Sequence, residues 1–174
     1  VSKRIFEEVE EYTKLNLKKI IFEEDNELIN KTKYTQICIF ASSLMIFKTL
    51  ENENIIDNSS IEVMLGHSLG EYTALACSNK IQLEQICLIL KKRGKLMHEA
   101  VEKNSTGMVA LIGESSDYVS NIIKQNNIDL EIANDNSPIQ VVLSGKIETI
   151  DSSKETFLEN GIKKFIKLNV SSAF

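Results

Sequence analysis

The chain has 174 residues, 43% of them hydrophobic and 26% charged, with a formal net charge of −5. That length can bury a sizeable core as one domain, or as a domain with a small subdomain. An acidic chain with no basic cluster interleaved with aromatics argues against a nucleic-acid partner, and no apolar run approaches the roughly 20 residues that span a bilayer. Cys38, Cys77 and Cys87 are odd in number and have no metal-ligand spacing, so they read as reduced core residues and no metal site is expected. Of 20 basic side chains only Arg4 and Arg93 are arginines, and Asn and Ile are frequent, a bias of AT-rich coding. It suits a plastid-like organelle (apicoplast) of an AT-rich parasite or the cytoplasm of an AT-rich bacterium. The chain opens at Val1 inside a helical pattern and stops at Phe174 without a tail-like segment, so truncation at both ends is expected.

Taken in order, Ile5, Val9, Tyr12 and Asn16 recur at helical spacing among Glu and Lys and predict an amphipathic helix. Residues 18–33 predict one short helix and a loop. Thr35 is placed to cap a helix from Gln36 to about Glu51. Ile37, Phe40, Ala41, Leu44, Met45 and Phe47 make that helix apolar nearly all round, so it is expected to be buried. Gln36 would stand at its start, either facing solvent or bordering a site. Residues 51–60 form a polar connector.

Ile61–Leu65 is a β-branched and apolar run that predicts a buried strand, and from Leu69 to Cys77 the pattern turns helical. The corner between them, Gly66-His67-Ser68-Leu69-Gly70, matches G-x-S-x-G, the nucleophile elbow. Its two glycines permit a sharp turn with no side chain in the way, which leaves Ser68 at the tip. The N–H of Leu69 opens the helix and is aimed where an oxyanion would form beside Ser68. The alternative is an ordinary serine in a glycine-bracketed turn; the strand-then-helix setting favours the nucleophile.

A long helix is predicted from Gln82 to about Lys103, with Ile86, Ile89, Leu90, Leu96, Met97 and Ala100 as its apolar stripe. Arg93 falls in the middle of that stripe. A buried guanidinium needs a carboxylate or several acceptors, so Arg93 is either an internal ion-pair partner or a fork for a ligand's carboxylate. His98 falls on the polar side and reads as a solvated residue. His67 is held by the turn, as a structural hydrogen-bonder or a site residue. Beyond Gly107 the order reads as strand (108–112), helix capped by Ser115 or Ser116, strand (129–133), turn (134–138), strand (139–144), helix closed by Gly161, and a last strand carrying Ile166, Leu168 and Val170. That β-α-β-β-α-β order is the ferredoxin-like arrangement. The expected organisation is a large α/β domain over 1–106, a small subdomain over 107–168, and a return to the large domain over 169–174.

Gly66-His-Ser-Leu-Gly-Glu-Tyr72 resembles the nucleophile motif of malonyl-CoA:acyl carrier protein transacylases. Thr35-Gln36, Arg93-Gly94…Met97, Asn134-Asp-Asn-Ser-Pro138, Gln140-Val-Val-Leu-Ser-Gly145 and Val170-Ser-Ser-Ala-Phe174 resemble further segments of that family, in its order and at its spacing. Ile37 stands where the family usually has proline after this glutamine. The resemblance implies an α/β-hydrolase-like core with an inserted ferredoxin-like subdomain. It implies malonyl transfer from malonyl-CoA to the phosphopantetheine thiol of acyl carrier protein through malonyl-Ser68, for fatty acid synthesis. Coenzyme A thioester enters as substrate, with no tightly bound cofactor, and a monomer is expected. Arg93 would anchor the malonyl carboxylate, with Gln36, His67 and Met97 lining the acyl pocket and Leu69 donating to the oxyanion. Asn136 would border the pantetheine side, or simply form a turn. The base histidine is expected just after Phe174, and the family's N-terminal oxyanion segment has no match here, so this chain alone is expected to be inactive. Rival readings are a serine hydrolase or thioesterase of α/β-hydrolase type, and a non-catalytic carrier-protein docking module.

Overall fold

The computed structural model describes residues 1–23, 27–100 and 105–170. The chain divides into two compact units, Val1–Leu96 and Met97–Phe174. The described part of the first is helical. Helix α1 (Ser2–Thr13) turns Ile5, Val9 and Thr13 inward and ends at Lys14 in the left-handed region. Asn16 does not extend that face: it caps α2 (Leu17–Phe22), accepting the Lys19 N–H at 2.8 Å.

Helix α3 (Thr32–Asn52) packs against α1 and α4 (Leu69–Cys77). It starts a full turn before the expected Gln36, because Thr35 does not cap. The Thr35 hydroxyl instead donates to the carbonyls of Ile29 and Lys31, inside the helix. Gln36, Ile37, Cys38, Phe40, Ala41 and Leu44 are buried. Ile39 and Ile46 on the opposite side are 51% and 63% exposed, so the helix is not buried all round. In α5 (Leu83–Glu99) the buried line is Ile86, Cys87, Leu90 and Gly94, while Ile89 and Leu96 of the expected stripe face outward. The expected extension of this helix to Lys103 falls on residues outside those described.

Ile61–Leu65 forms no strand, and Val63 and Leu65 are 71% and 84% exposed. A strand needs neighbours for its N–H and C=O groups. No described segment pairs with this one. Open grooves of about 730 and 590 Å³ run along its two sides. The three cysteines are free and buried as expected, and burial pushes the Cys38 and Cys87 thiols up to about 11 and about 12.

The second unit runs β1 (Thr106–Ile112), α6 (Ser116–Gln125), β2 (Leu130–Ser137), β3 (Gln140–Lys146), α7 (Ile147–Glu159) and β4 (Lys164–Lys167). The sheet order is β2-β3-β1-β4, every neighbouring pair antiparallel. Val109, Leu111, Val141 and Leu143 alternate onto one face, where Val119, Ile122, Ile150 and Phe157 of the helices complete the core. Ser115 caps α6, and α7 ends in a Schellman turn, with Gly161 at φ +90° and the Ile162 N–H on the Phe157 carbonyl at 3.1 Å. Two expectations fail here. Asn134-Asp135-Asn136 lies in β2, not in the turn: Asn134 and Asp135 pair with Val142 and Val141, and register shifts at 132/134 and 135/137 skip Ala133 and Asn136. In β4 it is Phe165 that packs on the core; Ile166 pairs with Ala110 and faces the other side, and Leu168 and Val170 lie beyond the strand. Of the final segment from Val170, residues 171–174 lie outside those described.

Candidate active site

The elbow is built by backbone contact. A Cβ at Gly66 would stand 2.0 Å from the carbonyl carbon of Gly70 and 2.6 Å from the Glu71 nitrogen, so only glycine fits there. Gly70 differs: a Cβ on it would meet open space, so only one of the two glycines is sterically required. Ser68 lies between them at φ 52°, ψ −103°, a conformation side-chain-bearing residues avoid and which marks strained functional positions. The Gly70 N–H reaches the His67 carbonyl at 2.8 Å and the Glu71 N–H reaches the Ser68 carbonyl at 3.3 Å, which starts α4 directly behind the serine. Ser68 and His67 are exposed, and Leu69 is the first residue of α4, where N–H groups have no carbonyl one turn back.

Arg93 arrives from α5. Gly94, beside it, brings α5 against the first turn of α3: a Cβ there would lie 2.9 Å from the Lys33 Cα and 3.1 Å from its carbonyl oxygen. This close approach sets Arg93 next to Gln36, which sits in the second turn of α3, not at its start, and is only 5% exposed. Arg93 Nη1 donates to Gln36 Oε1, and Nη2 donates to Ser68 Oγ at 2.8 Å. Gln36 Nε2 in turn donates to Thr32 Oγ1 at 3.2 Å. The guanidinium carbon lies 5.4 Å from the centre of the Tyr72 ring, within cation–π range. Among the described residues, the hydrogen-bond partners of Arg93 are therefore neutral, and the internal ion pair weighed from the sequence is not found.

Ser68, Arg93 and Gln36 thus form one connected cluster. Met97 is half-buried one turn beyond Arg93 on α5, and Asn136 is exposed on β2. His98 is half-buried with its Nδ1 withdrawn from solvent, contrary to the solvated position expected. In the sequence Thr32 carries no motif, and Tyr72 appears only as the last residue of the elbow motif, with no role of its own. The available signals were spacings: Thr32 is one helical turn before Gln36, and Tyr72 is four residues past Ser68. Among the described residues no group of three or more His, Cys, Asp or Glu side chains could hold a metal ion, and no helix is long and apolar enough to cross a membrane.

The model of the acyl transferase domain family matches residues 1–173. The malonyl CoA-acyl carrier protein transacylase of Bacillus subtilis (strain 168) is 31% identical over 176 residues, which take in 99% of this chain and 54% of that protein. Among solved structures, the malonyl CoA-acyl carrier protein transacylase from Clostridium perfringens matches with a TM-score of 0.83 at 34% identity, over 99% of this chain and 54% of that one. A malonyl-transacylase solved in complex with its type II PKS acyl-carrier protein matches with a TM-score of 0.84 at 29% identity, over 99% of this chain and 55% of that one. The chain spans about half the length of these relatives, and it shares their mixed α/β fold. With the family model running from the first helix past the last described strand, this chain belongs to the acyl transferase domain family.

Proposed function

We propose that this chain carries the nucleophile and the carboxylate-binding part of a malonyl-CoA:acyl carrier protein S-malonyltransferase. The observation that carries the reading is the Arg93 guanidinium, 2.8 Å from Ser68 Oγ, with only neutral hydrogen-bond partners among the described residues. Its positive charge stands beside the nucleophile and is not neutralised from within. An acyl group on Ser68 that ends in a carboxylate places that carboxylate a few atoms from Oγ, within reach of the guanidinium beside it. Arginine suits this better than lysine, because its planar fork makes two parallel bonds to a carboxylate.

The chemistry follows as two transfers. Ser68 Oγ attacks the thioester carbonyl of malonyl-CoA and gives its proton to a histidine acting as general base, which is not one of the two histidines of this chain. The carbonyl oxygen becomes an oxyanion held by backbone N–H groups, that of Leu69 among them. Collapse breaks the C–S bond, and coenzyme A leaves as a protonated thiol. The phosphopantetheine thiol of acyl carrier protein then attacks malonyl-Ser68, and Ser68 Oγ recovers its proton. Arg93 holds the malonyl carboxylate through both halves, and Gln36, His67 and Met97 border the acyl group. Acyl carrier protein as acceptor is supported by a relative of this fold solved in complex with its acyl-carrier protein.

We infer further that Ile61–Leu65 is a strand of an α/β-hydrolase-like core whose partner strands lie outside this chain, and that the second unit is its ferredoxin-like subdomain. The element order and sheet order of that unit support the second part. A bacterial cytoplasmic setting is favoured over an organelle by the bacterial relatives. Mass spectrometry of the complete protein after malonyl-CoA tests the reading. A malonyl adduct on Ser68 that passes to holo acyl carrier protein, and that Ser68→Ala abolishes, is expected. Rapid release of free malonate would establish a hydrolase instead, and an adduct retained on Ser68→Ala would remove Ser68 from the mechanism.

A further inference from the structure

We propose that Thr32 and Tyr72 are positioning residues for Arg93, which fix the plane and the donor edge of its guanidinium and thereby sharpen the preference for an acyl group bearing a carboxylate. The proposal rests on the reading of Arg93 given above. An arginine on a flexible stem loses affinity to the cost of ordering it, so a guanidinium held in place before substrate arrives binds a carboxylate more strongly. A carboxylate could hold it, but would also neutralise it and compete with the substrate. Here the in-plane partners are an amide and a hydroxyl, which restrain Arg93 without cancelling its charge.

An amide, however, has two ends. Gln36 must present Oε1 to Arg93; turned over, its NH₂ group would point donors at a cation that has only donors. Thr32 sets which end faces Arg93. Its hydroxyl oxygen accepts from Gln36 Nε2 at 3.2 Å, one turn back on the same face of α3, so Oε1 is directed at Arg93 Nη1. Tyr72 acts in the remaining direction. Its ring centre lies 5.4 Å from the guanidinium carbon, where the negative face of the ring attracts the cation and limits its tilt. Amide, ring and serine hydroxyl together define the orientation of the fork.

The test is steady-state kinetics with malonyl-CoA and acetyl-CoA on the complete protein and its variants. Thr32→Val keeps the shape of the side chain and removes the acceptor. It should lower kcat/KM for malonyl-CoA by about threefold to tenfold, the usual worth of one hydrogen bond, and leave acetyl-CoA unchanged. Thr32→Ser should restore malonyl transfer. Tyr72→Leu should lower malonyl transfer by about twofold to tenfold, as for loss of a partly exposed cation–π contact, while Tyr72→Phe retains it. In an Arg93→Ala background neither Thr32→Val nor Tyr72→Leu should change the malonyl-to-acetyl ratio further. Equal losses for both substrates, or undiminished losses in that background, would overturn the proposal and leave the two residues as scaffold. If Arg93→Ala shifts the ratio but Thr32→Val and Tyr72→Leu do not, this inference alone fails. If Arg93→Ala leaves the ratio unchanged, the reading of Arg93 itself fails.

Discussion

Replacing Arg93 with alanine separates a residue that binds substrate from one that holds the fold. In this structure the substitution removes a donor from Gln36 Oε1, a donor from Ser68 Oγ and a cation from the face of Tyr72. None of these partners is charged, so no buried charge is left uncompensated. The expected loss of stability is about 1–2 kcal/mol, from one part-buried hydrogen bond and a cation–π contact. That is a drop of a few degrees in melting temperature for a chain of this size. Breaking a buried ion pair would instead cost about 3–5 kcal/mol. For malonyl transfer the loss is larger, because a hydrogen bond to a charged group contributes about 1.5–3 kcal/mol and a fork makes two. Even one such bond corresponds to about 10-fold to 150-fold in kcat/KM. Acetyl-CoA has no carboxylate and leaves the Arg93 charge unpaired, so its transfer should be unchanged or faster. Lysine at this position should restore little, since an ammonium cannot make the fork. The assay is kcat/KM for both thioesters with a thermal melt of the same variant. Parallel losses for both substrates, with a melting temperature lower by ten degrees or more, would show that Arg93 is structural.

Gly66→Ala should abolish the acyl adduct on Ser68 for malonyl and acetyl groups alike, because its Cβ falls 2.0 Å from the Gly70 carbonyl carbon; an intact adduct by mass spectrometry would contradict that. Gly94→Ala places a Cβ 2.9 Å from the Lys33 Cα, so α5 must move off α3, and malonyl transfer should fall more than acetyl transfer in the same two-substrate assay. Burial raises the thiols of Cys38 and Cys87 to about 11 and about 12 from an ordinary value of 9.0, so native protein at pH 8 should resist iodoacetamide while unfolded protein reacts at once. The folded state then holds its thiol protons more tightly than the unfolded state. Their contribution to stability is full below about pH 9 and is lost as pH rises through 11 to 12, which a series of urea melts would show.

Elements whose signal is local were legible in the sequence. Helix α4 begins and ends at Leu69 and Cys77, where the pattern changes, and the order of strands and helices beyond Gly107 follows from alternation between periods of 2 and 3.6. What was misread depends on neighbours that a periodicity does not contain. Ile61–Leu65 has the composition of a buried strand, yet no described segment pairs with it, and Val63 and Leu65 are exposed. Thr35 looks like a cap, but its hydroxyl bonds backward to the Ile29 and Lys31 carbonyls, so α3 begins at Thr32. Asn134-Asp135-Asn136 has the composition of a turn, yet β2 takes it in, with Asn134 and Asp135 paired to β3 and Asn136 at a register shift.

The candidate site divides along the same line. Ser68 is visible in the sequence because its geometry is made within five consecutive residues: one glycine allows the turn, and the serine takes the strained conformation. The contacts of Arg93 are not visible, because Gln36 on α3 and Tyr72 on α4 meet it only through tertiary packing, and Thr32 joins them through Gln36. This separation has a physical consequence. On the proposed function, nucleophilicity would depend on the elbow and the start of α4, which any thioester substrate would use. On the same reading, preference for a carboxylate would depend on how α5 lies against α3 at Gly94 and Lys33. Substitutions at the elbow should therefore lower all acyl transfer together, whereas substitutions at the α3–α5 contact should change which acyl group is preferred.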